Sequence, residues 1–276
     1  MPEKGSVGLM QRTADIAIIG GSGFYSLFDS GDDLLIDTPY GPPSAPLVVA
    51  DVAGRSVAFL PRHGRDHQFP PHRIPYRANL WALHALGVRQ VLAPCAVGSL
   101  RPEASPGAIV VPDQLLDRTS GRSGTFHDGP VPAHVAFADP YCPSGRGAVL
   151  ATCATEGADT VDGGTLAVID GPRFSTRAES RFYAASGCSL INMTAMPEAV
   201  LAREQAVCYT GVALVTDYDA GVDAATAVTQ ESVFSTFAAN VARLRDLLVR
   251  VVPRLPATND RDCPCARALE GIAVSR

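Results

Sequence analysis

The amino-acid sequence predicts a single α/β domain with a mostly parallel mixed central sheet flanked by helices. It spans residues 15–253, between an N-terminal tail (1–14) and a C-terminal tail (254–276). Short apolar strands alternate with helical patterns, the arrangement that builds a parallel sheet. Strands such as Thr165–Ile169 and Gly211–Val215 are apolar almost throughout, as in a sheet covered on both faces. The glycine and charged motifs gather at strand ends, where open α/β sheets hold their ligands.

Asp15–Ile19 reads as the first strand and ends in the glycine turn Gly20-Gly21-Ser22-Gly23. Pro46–Asp51 and Arg55–Leu60 form a hairpin around Ala53-Gly54. Tyr76–Leu86 is a helix stopped by Gly87, and Val88–Ala93 and Ala108–Val111 are short strands. Gly121–Pro143, rich in Gly, Pro and His, reads as a long loop of the functional or mobile kind. Helical patterns follow at Thr176–Ser186, Pro197–Tyr209 and Gln230–Val252, and the tail after Pro253 reads as irregular.

Composition bounds the function. With 276 residues, 46% of them hydrophobic and 18% charged, the chain can bury a large core and fits a globular enzyme. A net charge of −5 offers no basic face to a polyanion, which argues against nucleic acid. No apolar run approaches the roughly 20 residues that span a bilayer. The polar first 15 residues lack a signal-peptide core, so a cytoplasmic protein is expected. Seven cysteines, an odd number scattered through apolar segments, read as reduced buried thiols. Cys263-Pro264-Cys265 differs: a C-x-C pair can chelate a metal or close a small disulfide. Four zinc ligands do not lie close together in sequence, so no metal site is expected and the tail is read as having no catalytic role.

Five constellations carry chemistry. Gly20-Gly21-Ser22-Gly23 is either turn punctuation or an anion site in which backbone amides and the Ser22 hydroxyl converge. It is neither a dinucleotide fingerprint nor a P-loop. Pro61-Arg62-His63-Gly64 offers a guanidinium fork for phosphate oxygens, with His63 as a second donor. His63 and His67 do not form a metalloprotease pair, because Gly64 intervenes and the glutamate is absent. In Pro94-Cys95-Ala96-Val97-Gly98, at a strand end, backbone amides can hold an anion, while Cys95 reads as a buried thiol without an activating base. In Gly171–Glu179 a capping box (Thr176, Glu179) starts a helix, and Phe174 can cover a flat ligand. Thr216-Asp217-Tyr218-Asp219 sets two carboxylates one residue apart, on one face of an extended strand. A protonated carboxyl there can donate to a ring nitrogen as a bond breaks.

These motifs, with Gly98-Ser99-Leu100, Asp113-Gln114, Asp117-Arg118-Thr119 and Asn192-Met193-Thr194, together resemble the trimeric purine nucleoside phosphorylases from about Ile16 to Pro253. The S-methyl-5′-thioadenosine phosphorylases are the nearest branch. The resemblance implies reversible phosphorolysis, here of methylthioadenosine to adenine and 5-methylthioribose 1-phosphate. The alternative is phosphorolysis of adenosine, inosine or 5′-modified adenosines. It implies no metal or organic cofactor, phosphate as co-substrate, a homotrimer or dimer of trimers, and a place in purine and methionine salvage. By resemblance, Ser22, Arg62, His63, Cys95, the Ala96 backbone and Thr194 hold phosphate. Met193 lies on the ribose and Phe174 on the purine. Asp217 shares a proton with N7, and Asp219 supports the exocyclic amine. Ser175 with Asp217 favours a 6-aminopurine, since 6-oxopurine enzymes tend to carry Glu and Asn there. His67, Gln230, Val233 and a neighbour's His134 surround the 5′ end. Gln230 stands where methylthio-specific relatives place an apolar residue, and Cys95 where animal relatives often have Thr. The Cys263–Cys265 pair is similar to a C-x-C disulfide of some thermophilic relatives, though a cytoplasmic setting keeps it reduced.

Overall fold

In the computed structural model of the protein, residues 13–21, 33–220 and 228–272 are described; Ser22 lies outside them. In order, they form β1 (Ile16–Gly20), β2 (Asp33–Leu34), β3 (Leu47–Val52), β4 (Arg55–Pro61), α1 (Tyr76–Ala85), β5 (Gln90–Ser99), β6 (Ile109–Val111) and β7 (Gln114–Arg118). Then come α2 (Pro143–Glu156), β8 (Thr160–Asp162), β9 (Thr165–Ile169), α3 (Arg177–Ala185), β10 (Cys188–Asn192), α4 (Ala195–Arg203), β11 (Cys208–Tyr218) and α5 (Gln230–Val251). The strands join in one mixed sheet with the main path β2-β3-β4-β1-β5-β10-β9-β7, while β11 pairs with β5 and β6.

Alternate side chains of the buried strands go to opposite layers, as the two-residue period demands. Ala17, Ile19, Ala58, Leu60, Ala213 and Val215 join the layer covered by Leu80 and Leu83 of α1 and Leu201 of α4. Ile16, Ile18, Val57, Phe59, Val212 and Leu214 join the layer covered by Val149 of α2 and Phe237, Leu244 and Leu248 of α5. Both faces are therefore dry, which is why these strands read as continuous apolar runs. Among the described residues, no helix is long and apolar enough to cross a membrane.

Strand β5 organises the sheet. One edge pairs with β11 along nearly its whole length. The other edge pairs with β1 at residues 90–92 and with β10 only at 98–99. Between Ala93 and Val97 that second edge has no strand beside it among the described residues. The chain crosses there from parallel to antiparallel neighbours, a switch point of the kind that opens a ligand crevice.

Several expectations need correction. The strand expected at 88–93 continues to Ser99, so the Cys95-Ala96 segment is strand interior beside the ladder gap and not a strand end. The helix expected at 197–209 runs from Ala195 to Arg203, and Cys208 already begins β11. Helix α2 escaped notice because Gly145 and Gly147 weaken its helical pattern. Gly145 is required by packing: a Cβ there would sit 1.9 Å from Thr210 Oγ1. The C-terminal segment is pinned as well as irregular: Arg55 donates to the Leu255 and Pro256 carbonyls, and Arg261 to those of Arg89 and Ala206.

The capping box of α3 forms as its sequence predicts. Glu179 N donates to Thr176 Oγ1, and Thr176 N donates to Glu179 Oε2. Arg173 holds the same glutamate in a fork. Replacing Thr176 by Ala is expected to lower stability by about 1 kcal/mol, the usual worth of such a cap. Urea denaturation checks this, and an unchanged midpoint would mean that the Arg173 fork alone holds the turn.

Candidate active site

A cavity of about 350 Å³ opens at the ladder gap, within the range of small-molecule sites. Arg62, His63, His67, Cys95, Ala96, Phe174, Ser175, Met193, Thr194, Asp217, Asp219, Gln230 and Val233 all line it. Of the site residues expected from sequence, Ser22 lies outside the described residues, and His134, exposed on the 119–142 loop, is not in that lining.

At one end the sheet delivers a cation. Arg62 follows β4 and is 1% exposed. Its Nε and Nη2 donate to Glu198 Oε2 and Oε1, each at 2.7 Å, and its Nη1 donates to the Pro94 carbonyl at 3.2 Å. Tyr209 also donates to Glu198 Oε1. Burial alone would lower the Arg62 pKa, but the Glu198 carboxylate outweighs it and raises the net value, so the guanidinium stays charged. The expected fork for an anion is thus largely committed to Glu198, leaving two of five N–H donors for a ligand. Gly21 makes room for this arrangement, since a Cβ there would stand 3.1 Å from Arg62 Nη1 and from the Pro94 oxygen.

His63 is not the donor expected of it. Its Nδ1 lies 2.8 Å from the Phe69 carbonyl, which can only accept, so Nδ1 carries the proton. Burial pushes its pKa down to about 3, against the pull of that hydrogen bond. The imidazole is therefore neutral and presents Nε2 as an acceptor. His67 stacks on it with centroids 4.5 Å apart and rests edge-on against Phe234.

Thr194 arrives from β10. Asn192 organises its turn: the Asn192 Oδ1 accepts from Thr194 N and Ala195 N, and its Nδ2 donates to Thr194 Oγ1. That donation turns the Thr194 hydroxyl proton outward as a donor. Met193 lies over Gly171, where a Cβ would sit 2.5 Å from Met193 Sδ. Arg122 ties these strand ends together by donating to the carbonyls of Met193, Met196 and Asp170. Cys95 is buried, and desolvation pushes its thiol up to about 11, so it stays protonated.

At the other end lie the carboxylates. The β5–β11 register shifts between Val215 and Asp217, leaving Thr216 as an extra residue. This bulge turns both Thr216 and Asp217 to the cavity, where strict alternation would send one away. Burial raises the Asp217 pKa to about 6, opposed by Thr216, whose hydroxyl donates to Asp217 Oδ2 at 2.7 Å, and reinforced by Asp219. Burial raises Asp219 too, against the nearby Ser180 and Ser175 hydroxyls. Among the described residues, Asp219 Oδ2 and Ser175 Oγ are nevertheless buried without a hydrogen-bond partner. Such orphaned polar atoms call for a polar ligand edge. Gly98 permits the approach: a Cβ on it would meet Asp217 Oδ1 at 3.1 Å and Asp219 Cβ at 3.3 Å.

Helix α5 closes the third side with Gln230, Val233 and Phe234, one helical face at i, i+3 and i+4. Sequence reasoning missed Phe234, Glu198 and Arg122. Phe234 had a signal, its helical spacing from Gln230; the others act only through contacts distant in the chain.

A model of the phosphorylase superfamily matches residues 15–253. The chain is 58% identical over 261 residues to the S-methyl-5′-thioadenosine phosphorylase of Mycolicibacterium smegmatis, covering 94% of this chain and 97% of that protein. It is 56% identical over 267 residues to the purine nucleoside phosphorylase of Streptomyces coelicolor, covering 94% and 95%. A crystal structure of a methylthioadenosine phosphorylase from an Antarctic soil metagenomic library matches with a TM-score of 0.87 at 39% identity, covering 96% of this chain and 94% of that one.

Removing Glu198 strands a buried cation. Glu198→Ala is expected to destabilise the fold by about 3–5 kcal/mol, as for other broken buried pairs. A denaturation midpoint near that of the parent would mean that water reaches Arg62.

Proposed function

The chain belongs to the phosphorylase superfamily, and from that premise we propose that it cleaves S-methyl-5′-thioadenosine with inorganic phosphate, giving adenine and 5-methylthioribose 1-phosphate. One observation carries this: a charged anion-binding end and a carboxyl with a raised pKa share a single cavity. Along β5 the two ends, at Cys95 and Gly98, are three residues and therefore about 10 Å apart. A phosphate, a pentose and a base fit in that order.

In the proposed reaction a phosphate oxygen forms a bond to the anomeric carbon as the bond to the purine nitrogen breaks. The two open N–H groups of Arg62, the Thr194 hydroxyl and the Ala96 amide beside the ladder gap hold the phosphate. An O–H of hydrogen phosphate or of the sugar donates to His63 Nε2. Met193 lies against the pentose and Phe174 against the base. Asp217, protonated, gives its proton to N7 as negative charge builds on the departing purine. Asp219 Oδ2 accepts from the exocyclic amine, which a 6-oxo group would not satisfy. Catalysis is then positioning plus charge stabilisation, with phosphate beside a developing oxocarbenium ion. Neither a metal nor an organic cofactor takes part in this chemistry.

The second reading is phosphorolysis of adenosine or a 5′-modified adenosine. It is favoured by Gln230, a polar side chain at the α5 wall that can pair with a 5′-hydroxyl. The proposed assembly is a homotrimer in which His134 reaches a neighbour's cavity, and the proposed setting is cytoplasmic purine and methionine salvage.

Base release from methylthioadenosine, adenosine and inosine, measured with and without phosphate, is expected to require phosphate and to rank inosine last. Release in plain water would mean hydrolysis, and inosine as best substrate would overturn the Ser175/Asp217 argument. Asp217→Asn is expected to slow turnover of 6-aminopurine nucleosides roughly a hundredfold, the scale of lost general-acid help. Because the Asp217 pKa is raised to about 6, the donor form is full below that pH and is depleted above it. The kcat/KM profile, which reports the free enzyme, is expected to fall on the alkaline side with a limb near that value. The limb should vanish in Asp217→Asn; its persistence would assign it to another group.

A further inference from the structure

The described residues hold a second polar cluster, none of whose members lines the cavity. Cys142, Cys208, Cys263 and Cys265 are each buried, at 1–3% exposure. Their sulfurs all lie within 4.8 Å of one another. None is in a disulfide, and Cys208 Sγ stands 3.4 Å from Cys263 Sγ. Local spacing offered no reason to expect a metal site, because only Cys263 and Cys265 are neighbours in the chain; the fold brings Cys142 and Cys208 beside them. Cys142 comes from the residue before α2 and Cys208 from the first residue of β11, and Cys142 N donates to the Tyr209 carbonyl to hold them together.

Four sulfurs around a zinc ion at about 2.3 Å form a tetrahedron with edges of roughly 3.8 Å. The observed packing is of that size. Two disulfides would instead draw the sulfurs into pairs about 2 Å apart.

The surroundings point the same way. Arg203, 4% exposed, directs Nη2 at Cys265 Sγ from 3.8 Å, and Arg261 directs Nη1 at Cys208 Sγ from 3.5 Å. Among the described residues neither arginine is ion-paired with a carboxylate; their other partners are backbone carbonyls and, for Arg203, the Phe137 ring. A guanidinium buried like that of Arg203 against neutral thiols would be an uncompensated charge, which is costly, and the half-buried Arg261 adds a second one beside it. Against a zinc tetrathiolate, which carries two net negative charges, they are its outer partners, and they orient the ligands as such partners do.

We propose that Cys142, Cys208, Cys263 and Cys265 bind one structural Zn²⁺ per chain. Binding releases the four thiol protons and leaves no open coordination position, so the ion takes no part in turnover. It fastens the C-terminal segment to the start of β11 and to the head of α2. The inference does not depend on the substrate, because its readout is metal content.

The test is elemental analysis of the purified full-length protein after dialysis against a chelator, with about one zinc per chain expected for a closed site. Replacing the ion with Co²⁺ should give the strong thiolate-to-metal absorption of a tetrahedral sulfur site. Cys263→Ser and Cys142→Ser should lose the metal and melt at lower temperature, while Cys153→Ala, outside the cluster, should retain it. Metal-free protein would overturn the proposal, whether its four cysteines map as disulfides under non-reducing conditions or react as free thiols. So would iron in place of zinc, or zinc retained by a Cys263→Ser/Cys265→Ser variant. Where the variants fail to fold, metal content and cobalt absorption of the parent protein decide.

Discussion

From Ala93 to Val97, one edge of β5 has no strand beside it among the described residues, and the rest of the site depends on that gap. Each neighbour of the gap ends at it and delivers a side chain there. Strand β4, in register with β1, brings Arg62, while β10, running against β5, brings Thr194. On the closed edge β11 runs on past the gap, and its bulge releases Asp217 over Gly98. Closing the gap with a continuous ladder would fill the cavity with backbone and satisfy the very amides that a ligand can use.

Three of the pocket's titratable groups are held in three different states by burial and their immediate partners. Arg62 keeps its charge because Glu198 shares its dry site; without that partner, desolvation would dominate. His63 has no anionic partner, so the same dryness makes it neutral. Asp217 has only a hydroxyl donor and a second carboxyl nearby, so it is poised between its two forms. A buried ion pair such as Arg62–Glu198 is weak evidence for stability. Its position, with two guanidinium donors facing a cavity, fits a group retained for binding.

How much of this was legible in the sequence depended on range. The Arg62-His63 motif at the end of β4, the hairpin at Ala53-Gly54, the α3 capping box and the Asp217/Asp219 pair at the end of β11 are local patterns, and each formed near its expected place. The extension of β5 was hidden because Pro94 and Gly98 look like turn residues; Pro94 is tolerated beside the ladder gap, where one edge needs no donor. Glu198 reads as a surface acid in the first turn of a helix until Arg62, 136 residues away, is placed against it. The role expected of His63 was reversed by one carbonyl, that of Phe69, which decides the tautomer. The cysteine cluster needed three distant segments to meet.

Strand β11 connects the two polar clusters and explains why they do not conflict. Cys208 opens the strand and Asp217 nearly closes it, nine residues or about 30 Å away at ordinary strand rise. Between them, residues 209–216 are all buried, and residues 209–215 are paired to β5. A strand so held cannot shift by one residue without sending every side chain to the wrong layer. Fixing its first residue therefore helps to fix the register in which the bulge, and with it Asp217, meets Gly98. At such a distance separation alone cuts the Coulomb effect of a metal–thiolate group on Asp217 to about an eighth of that of a charge at 4 Å. The coupling between the two ends is then mechanical: the sulfur cluster secures the strand and leaves the carboxyl's titration to its own surroundings.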